Sequence, residues 1–151
     1  MPDMRSIVEY KKARLEYEFI DTYEAGIELR GFEVKAVRAG KASLVGARVL
    51  VRASEAYLVG ATISPYQEGN TPKGYDPERT RRLLLSQKEL NALEGADSAK
   101  GLTIVPIMIY NRNRFLKLSF ATARRKKKYD KRESLKDRDE RRRIDRTLKD
   151  Q

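Results

Sequence analysis

From Arg14 the apolar positions fall two apart, with Leu15, Tyr17 and Phe19 alternating against Arg14, Glu16 and Glu18. That is the period of a strand with one face on a core. Residues 1–6 read as a loose start before the basic pair Lys11-Lys12. Beyond Asp21-Thr22, Gly26, Ile27 and Leu29 resume as a second strand, expected to pair with the first. A short helix is expected from Gly31, burying Phe32, Val34 and Val37, turning Glu33, Lys35 and Arg38 to water, and stopping at Gly40. Strands follow around residues 43–52 and 56–63, joined by a tight turn at Ala53-Ser54-Glu55. Residues 64–77 hold Pro65, Pro72 and Pro77 with Gly69 and Gly74, and form a loop long enough to have a job. Arg79-Thr80-Arg81-Arg82 then leads into Leu83-Leu84-Leu85. Ser86 and Glu89 stand at capping-box spacing, so a helix is expected from near Ser86 to near Gly95, burying Leu90 and Leu93. A last hairpin runs from Leu102 to Tyr110, turns at Asn111-Arg112-Asn113, and returns through Phe115, Leu116, Leu118 and Phe120.

About six short strands and two short helices predict a mainly β protein, a small antiparallel OB-like barrel whose closure removes exposed sheet edges. Residues 1–122 are expected to form that barrel and 123–151 a basic tail. The tail carries 14 Lys/Arg against 7 Asp/Glu, more than half of the chain's net charge of +11. Only Leu135, Ile144 and Leu148 are strongly apolar there, too few to bury it on the barrel. Four-apart pairs such as Asp137 with Arg141 contribute about 0.2–0.5 kcal/mol each, and like-charge pairs such as Arg138 with Arg142 oppose them. A tail disordered when free and helical on a partner is therefore expected.

The charge identifies the class of partner. An excess of this size points to a polyanion. At the head of the tail five consecutive cations, residues 124–128, run into Tyr129, a stacking face beside phosphate-binding groups. Lys35, Arg38 and Lys41, spaced by three, fall towards one side of the short helix and its exit, and Lys11-Lys12 are expected to extend that patch. Glu24 suits an RNA surface if it accepts from base amino groups or orients a neighbouring Arg or Lys. Leu84 is core, or else packs on an unstacked base or sugar. With no cysteine and no histidine the chain has no disulfide framework, no thiolate metal site and neither the commonest general base nor the commonest zinc ligand. A metal-dependent nuclease would need Glu24, Glu33 and Asp76 to meet, which their spacing does not demand. No cofactor and no enzyme activity are implied. No apolar run approaches the roughly 18 residues of a membrane span, and the tail lacks a membrane-binding apolar face, so a cytoplasmic monomer off the membrane is expected.

Several segments together resemble a known family. Glu24-Ala25-Gly26, Gly31 with Glu33-Val34-Lys35, residues 38–42, Ile63-Ser64-Pro65-Tyr66, Asp76-Pro77 with Arg79-Thr80-Arg81, Leu83-Leu84-Leu85, and Lys126-Lys127 with residues 129–132 are similar, in this order, to the small protein B family, the transfer-messenger RNA-binding proteins of bacteria. The resemblance covers the chain from about Lys11 into the tail. It implies an OB-type barrel that binds the transfer-RNA-like part of that RNA and brings it to ribosomes stalled on messages without a stop codon, as a non-catalytic adaptor in trans-translation. RNA contacts are then implied for Lys11, Lys12, Glu24, Lys35, Arg38, Lys41, Arg79, Arg81, Leu84, Lys126 and Lys127. The tail is implied to enter the decoding region and message channel, with Tyr129, Asp130, Lys131, Arg132, Ile144 and Leu148 as ribosome contacts. The family commonly has Asn where this chain has Tyr10, and Gly where it has Arg125, which implies a stiffer, more basic hinge. A ribosomal or initiation-factor-like OB protein is the alternative; it shares charge and barrel but does not require these motifs.

Overall fold

The computed structural model describes residues 6–98 and 101–127. In order it forms β1 (Ser6–Glu9), α1 (Ala13–Glu16), β2 (Tyr17–Ile27), α2 (Gly31–Arg38), β3 (Ala42–Ser43), β4 (Arg48–Arg52), β5 (Glu55–Val59), β6 (Thr62–Ile63), β7 (Arg81–Leu84), α3 (Gln87–Ser98), β8 (Leu102–Arg112) and β9 (Phe115–Arg125). Seven strands make one antiparallel sheet in the order β1-β8-β9-β2-β7-β5-β4, and β3 pairs with β6 as a separate ribbon. β2, β8 and β9, 11 residues each, are its spine. Bulges between Phe19 and Asp21 and between Pro106 and Met108 bend that spine. The sheet curls until edge strand β4 lies against β8 and α3, while the β3/β6 ribbon contacts β1 and α2 along the seam. Leu58, Leu83, Ile104, Ile109, Leu118 and Phe120 fill the interior, and Leu93 of α3 joins them. This is the small, mainly β barrel that alternation predicts.

The differences in detail have local causes. β1 was not expected: it has one buried side chain, Val8, and exists because β8 offers it an edge. The two strands expected either side of Asp21-Thr22 are one. Ile20 is the bulged residue, and Asp21 resumes the pairing opposite Thr122, its N–H donating to Thr122 Oγ1 at 3.1 Å, so the ladder passes through a pair that reads as a turn. Leu15 lies in α1 rather than a strand. The expected strands 43–52 and 56–63 each break, at Gly46 and Gly60. A Cβ on Gly60, whose φ is +82°, would stand 3.0 Å from the Gly46 carbonyl oxygen, so the close crossing there requires glycine. Both hairpins turn on two left-handed residues, Ala53-Ser54 and Asn113-Arg114, which carries β8 on to Arg112. The Ser86–Glu89 capping box forms, but α3 passes through Gly95 to Ser98.

The expected boundary after residue 122 also moves. Ala123 is fully buried, Arg124 and Arg125 pair with Glu18 and Tyr17, and the Lys126 N–H donates to Glu16 O at 2.8 Å. Arg125 is thus a paired strand residue. Tyr10 is half-buried, packed between the two apolar clusters. Tyr129, Asp130, Lys131, Arg132, Ile144 and Leu148 lie outside the described residues.

One polar cluster fixes how α2 and β7 sit on the barrel. Glu33, expected to face water, has no exposed surface. It accepts the Arg30 N–H at 2.9 Å, capping α2, as well as the guanidinium groups of Arg79 and Arg81 and the Tyr75 hydroxyl at 3.1 Å. Arg81, also without exposed surface, donates onward to Ala61 O and Pro77 O, both at 2.9 Å. Every partner but Arg30 lies more than 40 residues away, beyond the reach of helical periodicity. Burial alone would raise the Glu33 carboxyl; the hydrogen bonds from Arg79, Arg30 and Arg81 outweigh it and hold the group at about 2.

Because that folded value lies below the unfolded one, Glu33 contributes stability above about pH 4.3, lost as pH falls towards 2. Glu33→Gln leaves Arg81 buried without its counter-charge, so urea unfolding at pH 7 is expected to show a loss of about 3–5 kcal/mol. Repeated at decreasing pH, the gap between parent and variant should close; a constant gap would mean that the carboxylate charge is not what stabilises the cluster.

Candidate nucleic-acid interface

β7 alternates so that Arg81 and Leu83 point into the barrel while Arg82 and Leu84 point out. Leu84 is 53 % exposed and lies beside Gly26 of β2. A Cβ on Gly26 would meet Leu84 Cδ1 at 3.4 Å, an ordinary van der Waals distance, so the two residues lie side by side. Next to them a hollow of about 380 Å³ has an apolar lining that includes Ile27, Val34, Leu84, Phe115 and Leu116, together with the cations Arg38, Arg114 and Lys117. Phe115 is 67 % exposed. An apolar surface among cations suits an unstacked base or sugar with its phosphates alongside. Of the two readings of Leu84, core or contact, the exposure rules against the first.

Glu24 stands on β2 two residues before Gly26. Its Oε2 accepts the Tyr110 hydroxyl and Arg112 Nη1, the latter at 2.7 Å. The bond from Tyr110 lowers the Glu24 carboxyl and outweighs the opposing effect of burial, with Arg112 adding to it. Tyr110 is pushed well up, by burial first and then by Glu24, so it remains a donor. A fixed carboxylate therefore holds an arginine at the surface.

Lys35 and Arg38 are exposed one turn apart on α2, and Arg38 Nη2 donates to Arg114 O at 2.8 Å, tying the helix to the β8–β9 turn. Lys41, just past Gly40, reaches Tyr66 O at 3.4 Å. Lys11 and Lys12 do not extend this patch. They precede α1, near the far end of the long strands, where Lys126 Nζ donates to Arg14 O at 2.9 Å and Lys127 is exposed. The candidate cations thus fall in two places, Lys35, Arg38 and Lys41 on and just after α2, and Lys11, Lys12, Lys126 and Lys127 around α1.

Two implied contacts have other work. Arg81 is wholly inside and cannot touch RNA, and Arg79 commits Nε and Nη2 to Glu33 and Nη1 to Thr80 O. Arg112, Arg114, Phe115 and Lys117 were missed. Alternation along β9 carried a signal, since Leu116 and Leu118 face in and so leave Phe115 and Lys117 facing out. Glu24, Glu33 and Asp76 are engaged separately, Asp76 with the Glu78 N–H, and among the described residues no three His, Cys, Asp or Glu side chains gather as metal ligands. No helix among them is long and apolar enough to cross a membrane.

Comparison with known proteins places these features. The family model described as SmpB protein matches residues 7–150. An SsrA-binding protein of Gloeothece citriformis is 46 % identical over 95 % of this chain and 92 % of its own length. One of Enterococcus hirae is 46 % identical over 97 % of this chain and 95 % of its own. A solved chain described as "tmRNA-SmpB: a journey to the center of the bacterial ribosome" superposes with a TM-score of 0.67 at 39 % identity, covering 87 % of this chain and 95 % of that one.

Leu84→Ala separates contact from core. Since the side chain is largely exposed, the unfolding free energy should stay within about 0.5 kcal/mol of the parent. Affinity for a cognate folded RNA should fall by roughly 1–2 kcal/mol, the transfer value of the apolar carbons lost from the contact. Urea titration and filter binding on the same samples decide: a stability loss without an affinity loss would return Leu84 to the core.

Proposed function

Because the chain belongs to the SmpB protein family, we propose that it binds the transfer-RNA-like part of transfer-messenger RNA and delivers it to stalled ribosomes for trans-translation. It acts as a cytoplasmic, non-catalytic adaptor. The observation that carries the RNA-binding half is the exposed Leu84–Phe115 surface with Arg38, Arg114 and Lys117 beside it, next to a Glu24-oriented Arg112. The apolar surface takes an unpaired nucleotide, the cations take phosphates, and Glu24 adds selectivity by fixing Arg112. Lys35 and Lys41 extend the phosphate track over α2. Lys11, Lys12, Lys126 and Lys127 form a second cationic group where the chain leaves the barrel. From there the tail engages the decoding region and message channel, with Tyr129 stacking at the join and Ile144 and Leu148 supporting a helix formed on binding.

With on the order of four to six phosphate contacts, log affinity should fall against log salt with a slope of roughly −3 to −5. Lys35→Ala should flatten it by nearly one unit and is a cleaner test than Arg38→Ala, which also cuts the tie to Arg114. RNA captured from a bacterial lysate and sequenced should be dominated by transfer-messenger RNA. A ribosomal-RNA signal without it would favour the initiation-factor-like alternative.

A chain ending at Asp130 tests the division of labour. It should keep most of its RNA affinity yet fail in peptidyl transfer on ribosomes carrying a truncated message. Loss of both together would place the tail inside the RNA site.

A further inference from the structure

The loop between β6 and β7 is anchored from within and open outside. Ser64 N–H donates to Lys41 O and Ile63 N–H to Pro77 O, both at 2.9 Å, so its two ends are pinned. Tyr75 hangs from the Glu33 cluster and meets Phe32 edge-on with centroids 4.9 Å apart. On this fixed base the loop raises Tyr66, 42 % exposed and unused in the function above. Lys41 Nζ lies 5.7 Å from its ring centroid and also bonds its carbonyl, which restrains the residue from two sides. Two open hollows share it. One, of about 440 Å³, is lined by Lys35, Arg38, Ala39 and Tyr66; the other, of about 420 Å³, by Gly31, Phe32, Lys35, Tyr66, Gln67 and Asn70.

The chemistry of that lining selects its occupant. Both linings contain a cation and an aromatic ring and, among the described side chains, neither contains a carboxylate, so an acidic ligand with a flat face is complementary and a basic peptide is not. A nucleotide has both parts: a base to lie on the ring and a phosphate for the ammonium and guanidinium groups. We propose that Tyr66 is the stacking platform for one unpaired base of the bound RNA, with Lys35 and Arg38 holding the adjoining phosphates. The inference rests on the RNA-binding reading and extends its footprint across α2. Arg38 lines this cleft and the Leu84 hollow alike, so one continuous strand of RNA can use both.

The test uses the full chain, a transcript of the transfer-RNA-like part of transfer-messenger RNA, and an unstructured oligoribonucleotide. Tyr66→Ala should weaken transcript binding by about five-fold to a hundred-fold, the range of one base–aromatic stack, with the salt slope and melting temperature unchanged. Tyr66→Phe should stay within about two-fold, since it keeps the ring. Base-specific chemical modification should find one unpaired base protected by the parent and by Tyr66→Phe but open with Tyr66→Ala. Parent-like affinity for Tyr66→Ala, equal losses for both variants, or an unchanged protection pattern would each overturn the proposal. If the parent binds the transcript no better than ordinary transfer RNA, the functional reading fails instead, and the variants on the oligoribonucleotide still score the stack.

Discussion

A buried carboxylate that must be met by two guanidinium groups is the constraint on which the outer surface of this barrel depends. Glu33 caps its own helix and receives Arg79, Arg81 and Tyr75, so α2, the β6–β7 loop and β7 cannot be repositioned independently. Taking such charges out of water is costly, and well-packed apolar side chains often serve stability as well. What an ion cluster offers here is direction: its hydrogen bonds fix which way each element faces. With Arg81 turned inward, the period of a strand turns Leu84 outward; with Glu33 turned inward, Lys35 and Arg38 lie on the exposed side of α2. The arrangement inverts the usual sorting, with charge inside and leucine outside, and it is this inversion that produces the candidate surface.

It also divides the cations by task. Arg79 and Arg81 neutralise a buried acid, Arg82 pairs with Glu55 at 3.2 Å, and Arg112 is held by Glu24. Net charge alone therefore overstates how many groups are free to meet phosphate. Pairing need not remove a cation from binding, however. Arg112 remains 44 % exposed beside Glu24, so the carboxylate orients the guanidinium without covering it, and orientation rather than charge is what lets a surface prefer one RNA shape over another.

The barrel was legible because the continuous apolar run of β8, the alternation at the start of β9, the capping box at Ser86 and the Gly/Pro-rich loop are local signals, each readable within a dozen residues. The family was legible because several short motifs recur in order. The Glu33 cluster was not, since a lone glutamate at a helical position looks wet until its partners from the loop and β7 are known. For the same reason Arg81 resembled an RNA contact, although its motif is equally well explained by an internal ion pair. The missed Phe115 differs in kind. Its outward position followed from alternation, but an exposed phenylalanine beside a turn carries no meaning until Leu84 and Gly26 of other strands are brought next to it.

The spine strands set the distance over which an adaptor of this kind works. β9 begins at Phe115, on the Leu84 hollow, and ends at Arg125, where the tail departs; 11 residues at about 3.3 Å each put the two ends roughly 30 Å apart. Pairing continues to the last step, because Arg125 faces Tyr17 and the Lys126 N–H still reaches Glu16 O. A glycine at position 125 would leave the exit direction loose, whereas the arginine and its paired neighbours fix it. The candidate RNA surface at one end and the point where the tail leaves at the other are joined by a strand hydrogen-bonded along its length, on β2 and on β8. Such a connection transmits position rather than slack, so the spacing between the two ends is set in the barrel.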